Sequence, residues 1–329
     1  MTEQRAHLEG PPRGAAPHVS VVVPSFRGTA LLPQLLEAFC AQQTGLSWEL
    51  IVVLDGAPSD SRRTLREFES DLPLHVIEFP INRGRPAALN AGLEAARGEV
   101  LVRCDDDLLP DSDYIARHSH WHDSSSAVGV VGLYRNVFDG GRYAEVYGRA
   151  NDERFRSRAY AGPSADAWVY WAGNCSVHRS MWERVGPYDE RYTFYGEDAE
   201  WGRRLLEAGA HIVLDPGLEI RHTKPVASSS VRCERSFYAQ GVTAEIESAH
   251  GDPSLPDHPS RPRDRLWSIL VSIGARGNDA DCYRRRGQRI DGLLPFLPKF
   301  LARRLVSWGV ESAGAAGRRA VGTGKFRLG

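Results

Sequence analysis

Short, β-branched apolar runs alternate with segments of helical periodicity over residues 19–104, and this alternation restricts the fold more than any other feature of the chain. Val19-Ser20-Val21-Val22-Val23 stops at Pro24-Ser25-Phe26-Arg27-Gly28. A run this short and this continuously apolar predicts a strand buried on both faces, as in parallel sheets. Thr29 suits an N-cap, and Leu31, Leu32, Leu35, Leu36 and Phe39 then recur at helical spacing. Trp48 to Leu54 predicts a second strand, ending at Asp55-Gly56. Ser59 or Asp60 opens a helix carrying Leu65, Phe68 and Leu72. Leu74 to Phe79 predicts a third strand that runs into Asn82-Arg83-Gly84-Arg85, followed by a small-residue helix from Pro86 to Ala96. Strands alternating with helices make βαβ units and a mostly parallel α/β sheet, whose ligands bind at the carboxyl ends of the strands.

The fourth strand, from Gly98 to Cys104, ends in Asp105-Asp106-Asp107, and Leu108-Leu109-Pro110 follows. Three adjacent like charges repel, so a strand end holds them most readily beside something cationic. A divalent metal carrying a diphosphate fits, since hard oxygen ligands suit Mg²⁺ or Mn²⁺; a solvated acidic turn is the plainer alternative. Two other strand ends are also polar, at Pro24-Ser25 and at Asp55. No GxGxxG follows the first strand and no GxxxxGK[ST] occurs, which argues against dinucleotide oxidoreductases and P-loop NTPases. Asp55 is placed to accept from a nucleobase N–H, or is an ordinary turn carboxylate before Gly56.

Beyond Pro110, Asp111 to His122 reads as a helix. Val128 to Tyr134 and Tyr143 to Tyr147 read as strands around Asp139-Gly140-Gly141. Trp168 to Trp171 leads into Gly173-Asn174. Aromatic faces beside small polar groups suit a sugar ring, although core packing accounts for any single Trp. In Phe194-Tyr195-Gly196-Glu197-Asp198, the two acids open a short helix with Leu205, Leu206 and Ala208 on one face, ended by Gly209. Acids at a helix start are common caps, but Tyr195-Gly196 in front lets the backbone approach a ligand. His211 to Leu214 and Leu218 to Arg221 are strand-like and precede His222, a candidate metal ligand.

Taken in order, these residues resemble family 2 glycosyltransferases of the GT-A fold, over about residues 18–224. Residues 21–27 match the opening strand, Leu54-Asp55-Gly56 the nucleobase-binding aspartate, and Asn82-Arg83-Gly84 through Ala88-Leu89-Asn90-Ala91-Gly92 the helix before the metal site. Asp105-Asp106-Asp107 matches the DxD, Gly196-Glu197-Asp198 the Glu-Asp motif, and His222 the later metal-side histidine. Arg27-Gly28 departs from the Asn with an acidic or polar neighbour often found there. The resemblance implies a Rossmann-like mixed, mostly parallel sheet flanked by helices. It also implies an inverting, metal-dependent transfer from a nucleoside-diphosphate sugar to an acceptor hydroxyl. On it, Asp198 is the base and Glu197 positions hydroxyls. Asp107, Asp105 and His222 hold Mn²⁺ or Mg²⁺, and Pro24, Ser25, Phe26, Arg27, Asp55, Asn82, Arg85, Asp105 and Asp106 bind the donor. Trp171, Gly173, Asn174 and Tyr195 are expected on the acceptor side. A nucleotidyltransferase and a nucleotide-sugar-binding pseudoenzyme are the alternatives. The former normally carries a Gly- and Lys/Arg-rich first loop that Pro24-Ser25-Phe26-Arg27-Gly28 does not supply.

Charge is unevenly distributed. Residues 283–329 hold eleven Lys and Arg against two acids, a net of +9, which leaves −10 for residues 1–282. Such asymmetry points to an anionic partner for the tail. Within Leu293 to Val310, Leu294, Phe296, Leu297, Phe300, Leu301, Leu305, Val306 and Trp308 interleave with Lys299, Arg303 and Arg304. A basic amphipathic helix of this kind lies on an anionic membrane, or else packs on the catalytic domain as a lid or homodimer arm. A nucleic-acid partner is the weaker alternative. A membrane-bound tail would suit a lipid-linked or envelope glycan acceptor, and a packed one a small-molecule or protein acceptor. Four prolines between Asp252 and Arg263 read as a linker, and Leu266 to Ile273 as a short apolar helix. Five dispersed cysteines without a CxxC pair, no apolar leader and no run of ~20 apolar residues suggest a cytoplasmic chain, peripheral to the membrane's inner face if the tail binds there. The expected division is a disordered leader (1–17), a nucleotide-sugar-binding half (18–115), an acceptor-binding and catalytic half (116–225) and a basic, mainly helical C-terminal extension (226–329).

Overall fold

The computed structural model describes residues 7–9, 15–56, 59–193, 195–250, 265–277, 279–323 and 326. The chain divides into two compact units: residues 1–135 with 159–223, and residues 136–158 with 224–329. The strands are β1 (His7–Glu9), β2 (Val19–Ser25), β3 (Trp48–Asp55), β4 (Leu74–Phe79), β5 (Val100–Cys104), β6 (Leu108–Leu109), β7 (Val128–Val131), β8 (Tyr134–Asn136), β9 (Asn174–His178), β10 (His211–Leu214) and β11 (Ile220–His222).

An eight-stranded sheet of order β1-β4-β3-β2-β5-β9-β7-β10 carries the first unit. β4, β3, β2 and β5 run parallel, whereas β9 lies antiparallel between β5 and β7. This is the mostly parallel, helix-flanked GT-A architecture. Every residue of β2 is buried, which is why its run is apolar at successive positions rather than alternately. Leu32, Leu35, Leu36 and Phe39 form the buried stripe of helix Leu32–Cys40, the spacing read from the sequence. Each buried Leu contributes about 1.5–3 kcal/mol of transfer free energy. From β2 the chain passes to β3 and β4 on one side, then returns to β5 on the other. The split between β2 and β5 is a topological switch point, and their carboxyl ends bound a crevice there.

Several expectations need correction. His7–Glu9 pairs antiparallel with β4, so the leader contributes an edge strand. Tyr143 to Tyr147 is helical: Ala144–Gly148 forms a π-helical turn leading into helix Arg149–Ala161. Tyr143, Val146 and Tyr147 follow a helical spacing and pack on Ile290, Leu294, Ala302 and Val306, so residues 136–158 fall in the second compact unit with residues 224–329. His222 lies within β11, opposite Leu108, rather than after a strand.

Among the described residues, the second unit also contains helices Ser229–His250, Arg265–Gly274, Ala280–Leu293 and Lys299–Gly322. The last of these buries small residues, among them Gly309, Ala313, Ala316 and Gly317. A Cβ on Gly317 would stand 2.0 Å from the Phe237 carbonyl oxygen, so this helix and Ser229–His250 are in backbone contact. The proline-rich linker expectation, with Pro253, Pro256, Pro259 and Pro262, lies outside the described residues. Among those described, no helix is long and apolar enough to cross a membrane.

Candidate active site

The carboxyl ends of β2, β3 and β5 and the start of β9 bring most of the candidate residues together. Ser25, the last residue of β2, donates from Oγ to Asp106 Oδ2 at 2.7 Å, bridging the switch point. Gly28 lies against that pair, since a Cβ there would sit 2.2 Å from Asp106 Oδ2. Arg27 adopts φ 58°, unusual for a residue with a side chain, and its guanidinium lies over the exposed Phe26 ring. Pro24 is buried in register with Val53. Asp55, at the end of β3, is buried, and both its oxygens accept from backbone N–H groups of the next loop, Arg83 at 2.6 Å and Gly84 at 2.9 Å. Asn82 Oδ1 accepts from the same Gly84 N–H. Asp55 is thus first the staple of the 82–84 loop.

The centre of the site is a residue absent from the sequence-based set. Arg103 sits in β5 between β2 and β9, with 3% of its side chain exposed. Its Nε and Nη2 donate to Asp105 Oδ1 and Oδ2 at 2.8 and 3.1 Å, and its Nη1 donates to Asp198 Oδ1. The signal was there: an arginine inside an apolar strand requires buried carboxylates to pair with. Asp105, expected on the metal, has both its oxygens bonded to this guanidinium. Burial alone would raise its pKa; Arg103 and then Arg85 outweigh that and hold it below the usual carboxylate range. Its neighbour Asp106 is pushed up to about 7 by burial, with Asp107 and Asp105 adding repulsion against the opposing Ser25 hydrogen bond.

Glu197 and Asp198 open helix Glu197–Glu207 after Gly196, whose φ of 101° disfavours any side chain there. Trp201 anchors this helix, its ring 5.0 Å from that of Trp171 and stacked 5.2 Å from Tyr188. The first turn therefore faces β5. Glu197 is buried and bonded to Arg85 Nη1 at 2.7 Å; burial and the adjacent Asp198 charge lift it to about 7. Asp198 is more open, with 23% of its side chain exposed, and its Oδ2 lies 4.0 Å from Arg85 Nη1.

Asp107 points to the small second sheet. Its Oδ2 is 3.0 Å from His222 Nε2, while its carbonyl accepts from the Thr223 N–H and hydroxyl. Tyr134 supports both halves, with its ring 5.3 Å from that of His222 and its hydroxyl accepting from the Gly173 N–H at 2.6 Å. Among the described residues no group of three or more His, Cys, Asp or Glu is arranged around an ion position. Asp107 and His222 supply two donors, an oxygen and an imidazole nitrogen. That suits a cation delivered with a diphosphate, which completes the coordination shell itself.

The acceptor-side expectations divide. Gly173 lies on the site, because a Cβ there would be 2.2 Å from Asp105 Cγ. Tyr195 is half-buried beside Gly196, and Phe194 lies outside the described residues. Trp171 and Asn174 instead belong to the core. Trp171 donates from Nε1 to the Tyr188 hydroxyl inside the aromatic stack. Asn174, fully buried, donates to the Gly132 and Leu218 carbonyls and meets His118 Nε2 with its Oδ1.

The family model described as Glycosyl transferase family 2 matches residues 20–186. The undecaprenyl-phosphate 4-deoxy-4-formamido-L-arabinose transferase of Pectobacterium carotovorum subsp. carotovorum is 35% identical over 122 residues, 36% of this chain and 37% of that protein. The validoxylamine A glucosyltransferase of Streptomyces hygroscopicus subsp. jinggangensis is 26% identical over 259 residues, 68% of this chain and 61% of that protein. The chain thus spans less than two thirds of the length of either relative. Among solved structures, the mannosyltransferase PcManGT from Pyrobaculum calidifontis, in complex with GDP-Man and Mn²⁺, superposes with a TM-score of 0.60 at 19% identity, covering 95% of this chain and 90% of that one. With a family model matching half of the chain, from β2 past the end of β9, and with Asp105 and Asp198 meeting on one guanidinium of that same sheet, the chain belongs to glycosyl transferase family 2.

Proposed function

We propose that this protein transfers a sugar from a nucleoside-diphosphate sugar to an acceptor hydroxyl with inversion at the anomeric carbon. The observation that carries the reading is the shared guanidinium: Asp198, the base, and Asp105, the first acid of the triplet, are bonded to the same Arg103. The shared guanidinium ties the base to the acidic strand end, and inversion places the anomeric carbon between Asp198 and the leaving diphosphate, so that the acceptor hydroxyl attacks from the face opposite the bond that breaks.

Asp107 and His222 would hold Mn²⁺ or Mg²⁺, which would supply Lewis-acid stabilisation of the charge on the leaving diphosphate. Asp105, with both oxygens bonded to Arg103 and Gly173 against it, lines the same strand end on the donor side. Arg85, beside Glu197 and Asp198, adds positive charge toward the donor phosphates. Asp198 Oδ1 is fixed by Arg103, which leaves Oδ2 to take the acceptor proton as the hydroxyl attacks. Glu197, its carboxyl raised to about 7 by burial and the adjacent Asp198 charge, positions a sugar hydroxyl by hydrogen bonding. The donor is supported by the neighbour carrying GDP-Man, and by S. aureus TarS in complex with UDP-GlcNAc. The acceptor is a glycan, lipid-linked or small-molecule hydroxyl.

Asp198→Asn tests the base. Turnover should fall by about 10²–10⁴, while donor affinity, measured by calorimetry with Mn²⁺, changes less than about threefold. Near-normal turnover would overturn the assignment.

A further inference from the structure

We propose that the C-terminal unit carries a docking face for an anionic lipid bilayer, an inference independent of the transferase reading. The sequence left the basic stretch after Tyr283 open between packing and membrane contact, and the structure divides it residue by residue. Leu294, Ala302 and Val306 are buried against Tyr143, Val146 and Tyr147. Leu293, Phe296, Phe300 and Leu301 are not: they are 51%, 82%, 66% and 43% exposed. Large aromatic side chains this open, four residues apart, have no role in the unit's own core.

A second exposed apolar set lies on the helix packed beside Lys299–Gly322. Helix Arg265–Gly274 exposes Ile269 and Ile273. It packs along Lys299–Gly322 from Arg304 onward: Trp267 donates to Glu311 and lies under the Arg304 guanidinium, one turn beyond Phe300, and the Leu270 carbonyl accepts from Trp308 Nε1.

The charge around these side chains identifies the occupant. Arg285, Arg289, Lys299 and Arg304 are exposed, and Arg285, Arg289 and Leu293 follow one another at four-residue steps on one helix face. The two acids of residues 283–329 are engaged elsewhere: Asp291 accepts from the Ser229 and Ser230 N–H groups, and Glu311 from Trp267. Among the described residues, Arg284 and Arg318 have carboxylate partners in Glu234 and Glu247, whereas no ion pair involves Arg285, Arg289 or Lys299. A second copy docked by a two-fold axis would press this cationic rim against itself. An anionic bilayer supplies both an apolar layer for the Phe and Leu side chains and a negative surface for the rim.

The test is flotation of the full-length chain with phosphatidylglycerol/phosphatidylcholine vesicles and with pure phosphatidylcholine vesicles. Binding is expected only to the anionic vesicles and should weaken as the Debye length falls from ~10 Å at 0.1 M salt to 3 Å at 1 M. Phe296→Ser with Phe300→Ser should lower the partition coefficient about tenfold or more, with an unchanged thermal midpoint because both rings are exposed. Should that pair fold poorly, Arg285→Gln with Arg289→Gln serves instead, at about fivefold per residue. The proposal is overturned by absence of vesicle binding, by anionic binding that survives loss of both Phe rings, or by a concentration-dependent dimer that the Phe variants dissolve.

Discussion

Removing Arg103 tests the construction of the site most directly. In Arg103→Met the side-chain volume is roughly kept, but three hydrogen bonds to Asp105 and Asp198 are lost and the charge that balances them disappears. Deleting one member of a buried ionic set costs about 3–5 kcal/mol, because the remaining charges stay buried without compensation. The first compact unit has about 200 residues, for which each kcal/mol shifts the melting point by roughly 2–4 °C, so a fall of about 6–20 °C is expected. The pH dependence carries the cause. In the wild type, Asp105 has a folded pKa below its ordinary value, so its contribution is present above about pH 4 and fades as pH falls through the folded pKa. Without Arg103, burial dominates and the folded pKa rises, so the variant loses stability as pH increases past about 4. The gap between the two proteins should therefore widen from pH 5 to pH 7.5. Urea unfolding at the two pH values measures it. A loss under about 1 kcal/mol at pH 7.5, or a gap that narrows with rising pH, would refute the reasoning.

Glu197→Gln should act oppositely. A carboxyl raised to about 7 in the folded protein costs stability progressively between about pH 4.5 and 7, so the neutral variant should gain up to about 3 kcal/mol at pH 8 and little at pH 4, while transfer is lost. Thermal unfolding at the two pH values checks the sign. Gly173→Ala would place a Cβ 2.2 Å from Asp105 Cγ, so turnover should fall at least tenfold with the fold retained, as circular dichroism and single-turnover kinetics would report. Chelation should abolish transfer, and added Mn²⁺ should restore it. Asp107→Asn should raise the Mn²⁺ concentration needed for half-maximal rate about tenfold or more, which a metal titration of the rate would register.

Much of the sheet was legible because a strand buried on both faces writes itself as an unbroken apolar run. β2, β3, β4 and β5 fell where Val19–Val23, Trp48–Leu54, Leu74–Phe79 and the run before Asp105 indicated. Helix Leu32–Cys40 was legible from leucine spacing for the same reason, since one face meets the core. Where a segment's partner lies far along the chain, local pattern failed. Tyr143 to Tyr147 has β-like composition, yet its rings are matched to Ile290 and Val306 far along the chain, and that contact selects a helical turn. Trp171 and Asn174 looked like sugar-contacting residues because exposure, not residue type, separates a stacking platform from a core ring.

Thus the residues themselves determined the α/β class, the acidic end of β5, the acids opening helix Glu197–Glu207 and the cationic bias of the C-terminal stretch, all of which depend on neighbours in sequence. Tertiary structure alone decided that Arg103 joins Asp105 to Asp198 and that Asp107 turns to His222. It also decided that Phe296 and Phe300 stay outside their own core. The physical reason is that charge pairing and burial are properties of positions in space, and the chain brings residues some ninety or more positions apart within hydrogen-bonding reach only once the sheet has closed around them.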